Sequence, residues 1–240
     1  MYRVGELSKA TGVKEGTIRF YEKCGFLERV ERLPNHYRVY TDHHLYQVRI
    51  CRLVFGGFVN RRLRKNSMKL IMAAKDWNLD AYETAASEYQ RAIQEDIERT
   101  QKVIEFAVDM TKLPVESEVQ YTKKQVAELV GVTEESVRNW ERNGLIPKAP
   151  PYQKRYYSQE TLNRMYIIRL LLDTGYSIMA IYQFLQKMDF GERADAKALL
   201  IKPEEGEDLQ SRADYYLQAL LALQQKAETL YRLHEEMKKI

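Results

Sequence analysis

The sequence predicts a mainly α-helical protein in which one small helical module occurs twice and each copy is followed by a long helix. The first observation is an internal repeat, because residues 2–27 and 121–146 match at one constant offset. The second is a pair of short amphipathic stretches joined by a glycine turn in each repeat, and the third is a heptad pattern of apolar residues further on. One structural unit is therefore built twice on one chain.

Two short helices open each repeat. In the first copy an apolar stripe from Val4 to Ala10 precedes Gly12–Val13, and Gly131–Val132 is the counterpart in the second copy. Glycine adopts the positive φ with which a chain leaves one helix and turns into the next. Thr133 is expected to cap the second helix of the second copy. Such a helix pair is typical of a helix-turn-helix.

A wing and further helices are expected next. Alternating residues at 36–40 and 154–157 predict a short hairpin, and Thr41 and Ser158 are expected to cap a third helix. A fourth helix should follow a Gly-aromatic pair, which is Gly57–Phe58 in one copy and Gly175–Tyr176 in the other. The fold class is thus mainly α, with two winged helix-turn-helix domains, each followed by a long coiled-coil helix.

The long helices show coiled-coil spacing. Apolar residues from Leu209 to Met237 recur at alternating steps of four and three, and a looser version runs from Tyr82 to Ala107. These patterns divide the chain into a first domain (1–79), a long helix (80–113), a linker (114–120), a second domain (121–189), an acidic loop or short helix plus loop (190–208) and a C-terminal helix (209–240).

Composition and charge limit the classes of function. The 240 residues contain two cysteines and no run of eighteen apolar residues, so we expect neither a disulfide framework nor a membrane span. With no leader visible, a reducing cytoplasm is the expected location. Residues 1–65 carry a net charge of +8 and residues 80–112 a net charge of −4. Basic modules between acidic segments favour a polyanionic partner such as nucleic acid.

The two repeats resemble a known family. GELSKATGVKEGTIRFYEKCGFL followed by YRVYTDHHL, and VAELVGVTEESVRNWERNGLI followed by RYYSQETL, are similar to the DNA-binding domain of the MerR transcription regulators. The later piece RLLLDTGYSIMAI is similar as well. The resemblance implies a winged helix-turn-helix that places its second helix in the major groove, and an antiparallel coiled-coil dimer. It also implies distortion of promoter DNA for RNA polymerase.

Twelve residues are predicted to lie at double-stranded DNA, and the resemblance implies all of them but Lys14 and Asn139: Lys14, Thr17, Arg19, Tyr21, Arg38 and Tyr40 in the first copy, and Ser136, Arg138, Asn139, Trp140, Arg155 and Tyr157 in the second. Arginine forks onto guanine or phosphate, tyrosine hydroxyls fix the backbone register, and Asn139 suits adenine. Glu134 and Glu135 at the start of the second recognition helix would repel phosphate or accept from cytosine.

No metal, cofactor or catalytic site is expected. Cys24 and Cys51 lack metal-ligand spacing, and the adjacent His43 and His44 do not share a helix face. The sequence shows no nucleophile–base pair and no phosphate loop. Aromatic residues near the long helices either pack in the core or line a pocket for an unknown small-molecule effector.

The first long helix has about 33 residues and is therefore roughly 50 Å long. In an antiparallel pair its far end would lie beside a partner's DNA-binding domain, and here only about eight residues join it to the second module. We therefore expect one chain to imitate a dimer, with a homodimer as the alternative. Because the recognition helices differ, the operator should have unlike halves.

The leading function is a sequence-specific transcription regulator acting on the nucleoid. One alternative is an architectural or recombination accessory protein that bends DNA. The other is an adaptor whose second module and acidic loop bind a protein.

Overall fold

The computed structural model describes residues 1–55, 61–110, 119–147, 156–201 and 216–240. The chain divides into two compact units, one formed by Met1–Asp96 with Ala219–Ile240 and the other by Ile97–Gln218. Several predicted features lie outside the described residues, namely the Gly57–Phe58 pair, most of the linker, Arg155 and the acidic run at 204–208.

The first module contains a helix pair, a hairpin and two longer helices: α1 (Val4–Thr11), α2 (Glu15–Lys23), β1 (Glu31–Arg32), β2 (Arg38–Val39), α3 (Asp42–Phe55) and α4 (Arg61–Lys75). Gly12 ends α1 with φ at 64°, as predicted for the turn. Strands β1 and β2 pair antiparallel, with Arg32 opposite Arg38. The predicted hairpin of the first copy is therefore confirmed.

The second module repeats the order of the four helices, and its two described strands, which pair with each other, lie before and after the helix pair: β3 (Gln120–Thr122), α6 (Lys123–Val130), α7 (Glu134–Arg142), β4 (Tyr156–Ser158), α8 (Gln159–Thr174) and α9 (Ile178–Asp189). The hydroxyls of Thr133 and Ser158 accept from the backbone N–H groups of Ser136 and Thr161, so both predicted caps are confirmed. Thr41 behaves differently from Ser158. Its backbone N–H donates to Nδ1 of His44 at 2.9 Å, while its hydroxyl donates to Glu28.

One pairing was not predicted from the sequence. The tyrosine that opens each repeat lies opposite the tyrosine of the wing segment in an antiparallel pair: Tyr2 opposite Tyr40, and Tyr121 opposite Tyr157. Tyr2 and Tyr40 exchange two backbone hydrogen bonds, of 2.7 and 2.9 Å. The Tyr2 hydroxyl also donates to Asp42 and the Tyr121 hydroxyl to Gln159, both at 2.7 Å. Both contacts tie the start of each module to the first turn of its third helix.

Two long helices, α5 (Leu79–Met110) and α11 (Tyr216–Met237), carry the predicted seams. The described seam residues of both helices are buried: Tyr82, Ala86, Tyr89, Ile93, Ile97, Thr100, Ile104 and Ala107 in one, and Tyr216, Leu220, Leu223, Ala227, Leu230, His234 and Met237 in the other. Residues 209–215 of the predicted C-terminal helix lie outside the described part.

Within the first unit the two long helices of one chain run antiparallel. The Tyr82 hydroxyl donates to the carbonyl of Leu230 at 3.1 Å, and Nε2 of His234 lies 3.0 Å from the carbonyl of Leu79. One end of this pair reaches the first module, because the Tyr46 hydroxyl of α3 donates to Glu236 of α11. The compact unit therefore joins segments that are far apart in sequence.

The segment predicted as an acidic loop begins with a helix, α10 (Arg193–Ile201). The Tyr176 hydroxyl donates to the carbonyl of Leu200 at 2.6 Å, and Ala196 and Leu200 are fully buried. Of the two alternatives for residues 190–208, the part that the structure describes fits a short helix plus loop.

Candidate nucleic-acid interface

The second helix of the first helix-turn-helix, α2, has a clear inside and outside. Ile18 is fully buried, and the Tyr21 ring packs 5.9 Å from that of Phe55. The outward face carries the exposed side chains of Lys14, Arg19, Phe20 and Lys23, with Thr17 half-buried beside them. Arg19 pairs with Glu15 one turn earlier at 2.9 Å, and both side chains are exposed. This face can thus present cations and one large apolar ring.

The wing of the first module is fixed to α2 through Glu22. Arg38 Nε donates to both carboxylate oxygens of Glu22, at 2.8 and 3.0 Å, and the Tyr40 hydroxyl donates at 3.4 Å. Burial, with Glu22 nearby, raises the pKa of Tyr40 to about 12, so the hydroxyl keeps its proton at neutral pH. Charge-assisted hydrogen bonds of this kind fix the position of the wing relative to α2, the helix that the resemblance assigns to DNA recognition.

A cleft of about 560 Å³ lies between the start of α1, the recognition helix and the wing. Four of its lining residues are cations, namely Arg3, Lys9, Arg19 and Arg38, and His36, Tyr37 and Glu6 also line it. Clustered cations around a concavity raise the local concentration of anions and suit phosphate contacts. Arg19 and Arg38 were predicted from the sequence, whereas Arg3, Lys9 and Tyr37 were not. Arg3 and Lys9 lie beside the apolar stripe of α1, on its polar side.

The recognition helix of the second module, α7, carries a different set of side chains. Val137 and Trp140 are buried, Arg138 is exposed, and Ser136 and Asn139 are half-buried. Asn139 accepts at Oδ1 from Nδ2 of Asn143 at 2.8 Å. The outward polar groups therefore lie along one face, as in α2.

Glu141 occupies the position of Glu22 in the second module. It is 4% exposed and accepts from the Tyr157 hydroxyl at 2.9 Å and from Lys123 Nζ at 3.2 Å. A carboxylate that links the second helix of the helix-turn-helix to the tyrosine of the wing segment is therefore common to both modules. The wing cation that corresponds to Arg38 is Arg155, which is outside the described residues.

Four of the predicted contact residues lie in the core. Tyr21 is 8% exposed, Tyr40 0%, Trp140 3% and Tyr157 4%, so these four side chains pack inside their modules. For Tyr21 and Trp140 the reason is helical spacing, because a residue three positions after the buried Ile18 or Val137 lies on the same face. The neighbouring position faces outward instead, and Phe20 there is 57% exposed. Tyr40 and Tyr157 lie in the wing segment, where each pairs with the tyrosine that opens its module. Contact of these four residues with DNA stays a prediction.

An arginine supports the helix-turn-helix in each module and was also missed. Arg52 of α3 donates to the carbonyl of Gly12, and Arg169 of α8 donates to the carbonyl of Gly131 at 2.6 Å. The two arginines occupy the same place in the two copies. An alignment of the repeats extended to the third helix would therefore have identified them as a shared feature. Both satisfy a carbonyl that the end of a helix leaves free.

The described residues show no group of three or more His, Cys, Asp or Glu side chains suited to a metal ion. Burial raises the pKa of the Cys51 thiol to about 12, so this cysteine is a protonated core residue. The His43 ring stacks on Trp77 at 3.6 Å, and its Nδ1 lies 3.2 Å from Glu28. Within the same part of the chain, no helix has the length and apolarity that crossing a membrane requires.

The paired helices, the wing and the cation-lined cleft define the class of the protein, a tandem helix-turn-helix protein. The family model described as MerR HTH family regulatory protein matches residues 2–60 and 121–188, more than half of the chain. The chain belongs to this family, as its resemblance had indicated.

Curated relatives match parts of the chain. The mercuric resistance operon regulatory protein of Bacillus cereus is 35% identical over 68 residues, which are 28% of this chain and 52% of that protein. The HTH-type transcriptional regulator ZntR of Escherichia coli strain K12 is 40% identical over 52 residues, which are 22% of this chain and 37% of ZntR. The chain thus spans about half of the first relative and less of the second. No solved structure matches the chain significantly.

Proposed function

We propose that the chain is a sequence-specific transcription regulator that binds double-stranded DNA through both modules. The observation that carries this proposal is the cleft in which Arg3, Lys9, Arg19 and Arg38 surround the outer face of a recognition helix. Such a cleft combines phosphate contacts, which fix position, with side chains that reach base edges. Membership of the family and the regulatory roles for which the two relatives are named support the same conclusion.

Binding to duplex DNA is tested first by fluorescence anisotropy over a range of salt concentrations. The affinity should fall steeply with salt, because cations that bind phosphates release counterions. Replacing Arg3 and Lys9 together by alanine should weaken binding to all sequences about equally and make the salt dependence shallower. A wild-type chain that ignores duplexes even at low salt would refute the proposal.

One chain is proposed to act where relatives use two. This is supported by the antiparallel pairing of α5 and α11 within the first unit, which buries Tyr82 and Leu230 inside one polypeptide. A homodimer that pairs like helices would have to open this contact. The molar mass in solution and the number of chains bound to one short duplex decide between the two assemblies. One chain per duplex is expected.

The operator is proposed to have unlike halves. The two modules differ at equivalent positions of the repeat. Phe20, Arg3 and Lys9 of the first module correspond to Asn139, Thr122 and Glu128 of the second. An exposed phenyl ring suits the methyl group of thymine, and an asparagine amide suits adenine. Selection of bound sequences from random duplex DNA should therefore return an asymmetric site.

The proposal has three further parts. The regulator distorts promoter DNA, it acts together with RNA polymerase on the nucleoid in the cytoplasm, and it responds to a small-molecule effector. A DNA bend upon binding, measured by energy transfer between labelled duplex ends, would support distortion. The architectural alternative predicts bending without any change in transcription from the chain's own promoter. In the adaptor alternative the second module and the acidic segment 190–208 bind a protein partner instead of DNA. It predicts that replacing Arg138 and Arg155 together by alanine leaves DNA affinity unchanged.

A further inference from the structure

The two recognition helices differ at one position in a way that changes their electrostatics. In α2 this position is Gly16, and in α7 it is Glu135. The Glu135 carboxylate accepts from Arg138 at 2.9 Å and from Arg142 at 2.6 Å, so one acid holds two cations on the outward face of the same helix. The hydrogen bond from Arg138 lowers the pKa of Glu135, which is therefore ionised at neutral pH.

The three side chains are exposed, with 59% of the Glu135 side chain, 53% of Arg138 and 66% of Arg142 accessible. Exposed ion pairs contribute little to stability, so these contacts exchange readily when another anion approaches. A DNA phosphate must nevertheless displace Glu135 from both arginines, and the displaced carboxylate then remains near the phosphate backbone. Phosphate contacts alone are therefore weakened in this module.

A carboxylate has a favourable partner on DNA only at a base edge that donates a hydrogen bond, and in the major groove the cytosine amino group is such a donor. At a half-site with a suitably placed cytosine, Glu135 exchanges one arginine for a base contact and frees that arginine for a phosphate. Adenine also carries a major-groove amino group, but its N7 acceptor lies beside that group, so cytosine is the better partner for a carboxylate. Where no base amino group is within its reach, Glu135 only repels the phosphates. The residue thus lowers non-specific affinity more than specific affinity.

We propose that Glu135 is a specificity-determining residue of the second module, which suppresses sequence-independent phosphate binding and favours a half-site containing cytosine. This inference rests on the proposed function. The first module has Gly16 at that position, and its Glu15 pairs with one arginine, Arg19, where Glu135 pairs with two. The first module then supplies most of the general affinity, and the second supplies discrimination.

The test compares the full-length wild-type chain with Glu135→Gln, which removes the charge and keeps the shape. Anisotropy titrations use the operator obtained by selection and a duplex of the same composition in scrambled order, each over several salt concentrations. Glu135→Gln should bind the scrambled duplex about tenfold more tightly, with the slope of log K against log salt steeper by about 0.9 to 1.8, because one or two more phosphates are neutralised. Affinity for the operator should change less than threefold.

Two variants with the same change in net charge serve as controls. Glu105→Gln changes a residue of α5, outside the module. The Glu105 carboxylate lies 4.0 Å from Lys197 Nζ. Glu134→Gln removes the neighbouring acid of α7, which reaches Arg138 at 3.8 Å and does not share two arginines. Glu105→Gln should change either affinity less than twofold, and Glu134→Gln less than threefold. Circular dichroism confirms that all three variants keep the helical fold.

The inference is overturned if Glu135→Gln matches either control on the scrambled duplex, or if it tightens binding to both duplexes equally. It is also overturned if the selected operator has no cytosine in the half-site of the second module. The wild-type titration separates this outcome from failure of the proposed function, because a wild-type chain that binds neither duplex at low salt removes the function itself.

Discussion

The pairing of α5 with α11 can be tested by removing one side chain from the seam. Leu230 lies on α11 with 1% of its surface exposed, and its carbonyl accepts from Tyr82 of α5. Leu230→Ala deletes three buried carbon atoms and leaves a cavity, which typically costs about 3 kcal/mol. The first unit holds roughly 118 residues, for which the entropy of unfolding is about 0.25 kcal/mol/K, so its Tm should fall by about 12 °C.

Calorimetry at about 2 μM and about 200 μM gives both the size of the effect and its origin. An intrachain contact requires the same Tm at both concentrations, whereas a contact between chains is strengthened by mass action as concentration rises. Leu221→Ala on the same helix is the matched control, because Leu221 is 36% exposed and its truncation should cost less than about 1 kcal/mol. A wild-type Tm that rises by several degrees over this range, or equal losses for the two variants, would refute intrachain pairing.

Three further outcomes are expected. Arg19→Ala should weaken duplex binding about tenfold and make the salt slope shallower by about one, whereas Arg138→Ala should cost less than threefold, because Arg138 faces two acids, Glu134 and Glu135, and Arg19 pairs with Glu15. A larger loss for Arg138→Ala in anisotropy titrations would contradict this order. Phe20→Asn should alter base preference in one half of the selected operator only, and a change in both halves or in neither would show that Phe20 does not read a base. Burial lowers the pKa of His44, so the folded state favours the neutral ring and the free energy of unfolding should fall as pH drops from about 7.5 to 5.5, through the unfolded pKa near 6.5. His44→Asn keeps an acceptor for the N–H of Thr41 and should flatten this dependence in denaturant titrations, while the exposed His36→Asn should not.

The fold could be predicted from the sequence wherever a periodic pattern carried it. The glycine turns, the caps at Thr133 and Ser158 and the described residues of both helix seams all follow from local spacing, and the structure confirms them. The antiparallel bridge between Tyr2 and Tyr40 could not be predicted in this way, because it joins distant residues through backbone atoms that leave no pattern in side-chain type.

The candidate site was predicted less completely. Arg19 and Arg38 line the cation-rich cleft, but Tyr21 and Trp140 lie in the core, since a family motif identifies which residues matter without saying which way each one faces. Extending the buried face from Ile18 by one helical turn would have assigned Tyr21 to the inside and Phe20 to the outside. The contact from Arg52 to Gly12 depends on how α3 packs on the helix turn, which only the folded chain defines.

The seam between α5 and α11 brings together side chains that differ on its two sides. Tyr82 of α5 stacks on His234 of α11 with ring centroids 5.4 Å apart, so the two helices contribute different aromatic rings at this contact. In a symmetric assembly of identical subunits every mutation appears twice, so a change in one half is always imposed on the other. In this chain each residue of the seam is encoded once. A mutation therefore alters one side of the seam only, and a second mutation on the opposite helix can compensate for it. The two halves of the molecule are therefore free to diverge independently, and an engineer could redesign one of them without touching the other.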